Sequence, residues 1–61
     1  MGLNDFKKFI KEEISNYPNL KGDIMDLYQL ALDEIDEGES PTEEFYKCIN
    51  SINEINGRYK R

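Results

Sequence analysis

The sequence has no histidine, no tryptophan and no valine, and only one cysteine, two prolines and four glycines in 61 residues. Without histidine it lacks the side chain that titrates near neutral pH and the commonest metal ligand. A single cysteine excludes an internal disulfide framework. Small secreted domains ordinarily depend on such staples, so the expected compartment is a reducing cytoplasm. No apolar run approaches the ~20 residues of a membrane span. The opening MGLNDFKKFI has neither the uncharged core nor the small-residue cleavage site of a signal peptide. Met1-Gly2 begins like a myristoylation signal, but Phe6 stands where that signal wants Ser or Thr. A chain this short holds one domain at most, residues 1–61, and reads as a whole gene product with its own Met1. Burying roughly 60% of its unfolded surface, it leaves no room for a pocket walled on every side.

What is present is helical periodicity. Leu3, Phe6, Ile10, Ile14 and Tyr17 recur at steps of three and four and form one stripe over residues 3–16. Asn4 or Asp5 is the expected cap, and Pro18 stops the helix by pushing its predecessor out of helical conformation. Over residues 20–37 the stripe is Leu20, Ile24, Leu27, Tyr28, Ala31 and Ile35, widened by Leu32 and Met25. The resulting apolar arc of roughly 160° suits a central helix with two neighbours. Gly38 is placed to end this helix in left-handed conformation. Ser40-Pro41-Thr42-Glu43 then reads as a capping box with proline in the first turn. A third stripe follows over residues 41–56: Phe45, Cys48, Ile49, Ile52 and Ile55, with Tyr59 packed beyond Gly57. Short turns make consecutive helices antiparallel neighbours. The expected fold is all-α, a three-helix bundle with helices over 3–16, 20–37 and 41–56. Tyr17, Leu27, Ile35, Phe45, Ile49 and Ile52 are expected near its middle. The alternative is a hairpin of the second and third helices, crossed by the first and completed by dimerisation.

Charge is segregated. The net charge is −5, yet residues 22–46 carry nine acids and neither Lys nor Arg: Asp23, Asp26, Asp33, Glu34, Asp36, Glu37, Glu39, Glu43 and Glu44. Both flanks are basic. Acids at the C-terminal end of a helix oppose its dipole at about 0.3–1 kcal/mol each, so helix propensity does not account for them. Two readings are open: a solvated face that supplies solubility and is partly neutralised by Lys7, Lys8 and Lys11 packed across from it, or an acidic surface kept for a basic partner. Asp23, Asp26, Leu30, Asp33 and Glu37 share the face opposite the apolar stripe, which sets a large apolar side chain among acids. Either Phe9 covers Leu30, or Leu30 and its rim form an anchor-and-ring contact site.

Other chemistries fit poorly. An EF-hand loop opening at Asp33 would find Gly38 at position 6 and Glu44 at position 12, but Ile35 at position 3 cannot ligate calcium. Paired carboxylates catalyse when a cleft separates their pKa values, and a small bundle rarely has one. Cys48 lacks a histidine base and reads as a small core residue. Tyr17, Tyr28 and Tyr59 read as core-edge residues. Tyr46 lies off its stripe beside Asn50 and Asn53 and is the best exposed aromatic contact. Direct nucleic-acid binding would need a basic track that the central acidic block denies.

The stretch Asp26-Leu27-Tyr28-Gln29-Leu30-Ala31-Leu32-Asp33-Glu34-Ile35, followed by Gly38 and Ser40 and then Cys48-Ile49-Asn50-Ser51-Ile52, resembles small uncharacterised proteins of tailed bacteriophages over about half the chain. The resemblance implies an infected bacterial cytoplasm as the setting and occupation of a host protein's surface as the mode of action. It implies no catalytic activity and assigns no functional residue. The expectation is a non-enzymatic interaction module without a cofactor, a small acidic inhibitor or accessory factor. It would cover a basic protein surface with Asp26, Leu30, Asp33, Asp36, Glu37, Glu39 and Tyr46. One alternative is a nucleic-acid mimic, which needs carboxylates spread over a long surface. Another is a homo-oligomeric structural domain that buries Leu30, Phe9 or Tyr46 between copies.

Overall fold

In a computed structural model, residues 2–57 are described. The expected packing of Tyr59 falls outside them. Three helices form an all-α bundle: α1 (Leu3–Asn16), α2 (Lys21–Asp36) and α3 (Pro41–Ile55), with a short 3-10 turn, Pro18–Leu20, between the first two. Leu3, Ile35 and Phe45 meet at one end, and Glu13 and Asn56 meet at the other. α1 and α3 therefore run parallel to each other and antiparallel to α2.

The helix ends follow the local chemistry, with two corrections. α1 is capped two or three residues ahead of the expected caps: Gly2 is the N-cap, and its carbonyl accepts from the Phe6 N–H at 3.0 Å. Asp5 instead lies in the first turn, where its charge suits the dipole. Ser40 does occupy the N-cap of α3, with Pro41 behind it, but no side-chain cap hydrogen bond forms. The fixed φ of Pro41 is pre-organised for the first helical position, and the Ser40 carbonyl takes the Glu44 N–H at 3.0 Å. The end of α2 matches its expectation. Gly38 has φ 108°, its N–H donates to Ile35, and the Glu39 N–H donates to Glu34. This pair of reversed bonds satisfies the last carbonyls.

The core consists of Phe6, Ile10, Ile24, Ala31, Phe45, Cys48 and Ile52. Phe6 is its hub, with its ring 4.5 Å from that of Phe45 and 5.4 Å from that of Tyr28, so one side chain joins all three helices. Of the residues expected at the middle, Phe45 and Ile52 are buried, while Tyr17, Leu27, Ile35 and Ile49 are half-buried around the core. Phe6 and Ile24 are more deeply buried than these four, because each apolar arc is wider than the strip its neighbours cover. Leu3 and Ile55, both on expected stripes, are largely exposed at the two ends. Glu13 is buried instead.

Candidate functional site

A groove of about 70 Å³ runs between α2 and α3. Leu27 and Ala31 on α2 and Cys48 on α3 supply its apolar wall, with Leu30 and Ser51 also lining it. Leu30 stays 54% exposed. Phe9 does not cover it: Phe9 is half-buried and packs against the core. Asp26, Asp33 and Glu37 flank Leu30 on the outer face of α2, all exposed. Asp33 accepts a 3.1 Å hydrogen bond from the Gln29 amide one turn earlier.

The charged end of the groove is a cluster that sequence reasoning counted among the acids but did not single out. Lys47 Nζ lies 3.3 Å from Glu44 Oε2 and 3.6 Å from Glu34 Oε2, and so clamps α2 to α3. The Glu44 side chain is only 5% exposed. The two carboxyl groups also hydrogen-bond each other, which raises the pKa of Glu34 and lowers that of Glu44. Burial and the Glu44 charge push Glu34 further up, and Lys47 opposes this. Lys47 is raised by its bond to Glu44 and by both negative charges. The one local signal for this cluster was the spacing of Glu44 and Lys47, three apart on one helix face. The partnership with Glu34 depends on how α2 and α3 meet. Beside the cluster, burial and then the Glu44 charge push the Cys48 thiol up to about 11. It therefore stays protonated, and a poor nucleophile, at neutral pH.

The partial neutralisation by Lys7, Lys8 and Lys11 that the solvated-face reading expects does not appear as ion pairs among the described residues. Among the described residues the ion pairs run from Lys47 to Glu34 and Glu44. None joins Lys7, Lys8 or Lys11 to the acids of α2, and all three lysines are exposed. The expected site residues do not form one surface. Asp26, Leu30, Asp33 and Glu37 share the outer face of α2. Asp36 lies about 120° around the helix from Leu30 and borders a second groove, lined with Leu3, Leu32, Ile35, Pro41 and Phe45. Glu39 sits in the turn between α2 and α3, at the same end of the bundle. Tyr46 is 52% exposed, but it points about 100–160° around α3 from Glu44, Lys47 and Ser51 and stands apart from the groove.

Among the described residues no group of three or more His, Cys, Asp or Glu could hold a metal ion, and no helix is long and apolar enough to cross a membrane. Compared with known proteins, the chain matches no family model, no curated protein and no solved structure.

Proposed function

We propose that this chain is a non-enzymatic protein-interaction module, a small acidic inhibitor or accessory factor that covers a cationic surface of another protein. The observation that carries this reading is Leu30, a large apolar side chain exposed at the mouth of a groove and flanked by Asp26, Asp33 and Glu37. Outward carboxylates, which among the described residues pair with no cation, steer association and make it salt-sensitive. An apolar anchor at their centre supplies contact area that loses water on binding. Asp36 and Glu39 extend the negative field toward the turn, and Tyr46 belongs to a separate flank. With the resemblance to bacteriophage proteins as its setting, this reading has the chain act in an infected cell by occupying a host protein's surface. A nucleic-acid-mimic mechanism differs in that the partner's own DNA or RNA would compete for the same surface.

The test compares immobilised wild-type protein with Asp33→Lys/Glu37→Lys in bacterial lysate at about 0.15 M salt, where exposed charges act over about 8 Å. Basic proteins retained by the wild type should be lost by the double variant, whose circular dichroism spectrum should be unchanged. Undiminished retention by a folded double variant overturns the reading. Displacement of the retained protein by added DNA selects the mimic.

A further inference from the structure

The second groove lies at the pole of the bundle where α1 begins, α2 ends and α3 begins. It measures about 320 Å³, is floored by Leu32, Ile35 and Phe45, and is edged by Leu3 and Pro41. Leu3 is 45% exposed there, and a volume of this size admits an aromatic ring, since about 150 Å³ already accepts benzene. Asp36 lines the groove, and Glu37, Glu39 and Glu43 stand exposed at the same pole. The last turn of α2 contains no base. α3 ends at the opposite pole, and in the sequence Gly57 is followed by Arg58-Tyr59-Lys60-Arg61, one aromatic residue among three basic ones. We propose that the polar groove of one molecule receives Tyr59 of a second copy of this chain, with Arg58, Lys60 and Arg61 laid against the acidic rim.

The occupant comes from another molecule because the chain's own segment falls short. Helical rise places Gly57 about 18 Å from Phe45, the groove residue nearest to it along α3. Two extended residues carry Tyr59 at most about 7 Å past Gly57. The contact joins unlike surfaces, tail to groove, so it either propagates or closes into a ring, of which reciprocal exchange between two copies is the smallest. It is small and charge-steered, hence weak and salt-sensitive. It goes beyond the partner-binding reading: Asp36, Glu37 and Glu39 serve both, but Tyr59→Ser and Leu3→Ser leave Leu30 and its flanking acids in place, so the two fail separately.

Sedimentation equilibrium of the full chain up to about 1 mM, at low salt and at about 1 M salt, tests the proposal. The weight-average mass should climb with concentration at low salt and return to 7.2 kDa at high salt. Tyr59→Ser lacks the tail anchor and Leu3→Ser weakens the groove, so each should remain monomeric when alone. Mixed in equal amounts they should form a two-chain species and nothing larger, because only one tail–groove pair stays intact. Tyr59→Ser alters no residue of the core and keeps the test decisive even where Leu3→Ser perturbs folding. A wild-type chain that stays monomeric throughout overturns the proposal, as does self-association that Tyr59→Ser leaves unchanged.

Discussion

The side-chain amide of Asn56 donates a 2.8 Å hydrogen bond to the carboxylate of Glu13, joining residues 43 positions apart. Glu13 is only 3% exposed, so an acid on the inward face of α1 is held where α3 ends. A buried carboxylate is tolerable only while hydrogen-bonded, and this bond ties the first helix to the last.

Replacing Asn56 by Ala should therefore cost more than a surface substitution. Removing the donor deletes a hydrogen bond to a charged group, a loss of about 1.5–3 kcal/mol. Urea unfolding followed by circular dichroism measures it. A change below about 0.5 kcal/mol, the range of neutral surface changes, would show that the bond contributes little.

Two glycines should respond to alanine with opposite signs. Gly22 lies within α2, and a Cβ there meets nothing within 4 Å, so Gly22→Ala should stabilise by about 0.5–1 kcal/mol. Gly38 has equally open space but φ +108°, so Gly38→Ala should destabilise by about 1–2 kcal/mol through backbone strain alone. Thermal melts of both variants against wild type decide the matter. A stabilising Gly38→Ala would contradict the left-handed end of α2.

Stability should decline in alkali. Folding raises the Cys48 thiol from 9.0 to about 11 and raises Lys47 above 10.5. Each group therefore holds its proton more tightly folded than unfolded, and the contribution is complete below the unfolded value. The thiol's share is lost as pH rises from 9.0 toward about 11, and the Lys47 share as pH climbs past 10.5. Urea midpoints across this range should fall for wild type, and fall less steeply between these limits for Cys48→Ala. Parallel profiles for the two proteins would exclude burial of the thiol as a cause.

Helix spacing, proline and glycine placement made most of the secondary structure legible. The span of α1 agrees with its stripe although its cap is Gly2 and not Asn4 or Asp5, and the other two helices differ from expectation by a residue at their ends, because Pro18, Gly38 and Pro41 act through local backbone geometry. The candidate site was legible only in part. The spacing on α2 placed Asp26, Leu30, Asp33 and Glu37 on one face, which needs nothing beyond the helix itself. That Asp36 turns to another groove is also helical arithmetic, but that this groove exists requires Leu3 and Phe45 from two other helices.

The sequence by itself determined three helices, where each ends, and a strongly acidic middle between basic flanks. All of these depend on neighbours within a few positions of the chain. Tertiary structure decided what each helix conceals: Glu13 turned inward, Leu30 left in water, and Glu44 drawn under Lys47 to meet Glu34. An apolar stripe says which way a helix prefers to face, but how much of its arc is covered depends on how closely the partner helices approach. In this bundle that spacing is set by the rings of Phe6, Phe45 and Tyr28 meeting from three separate segments.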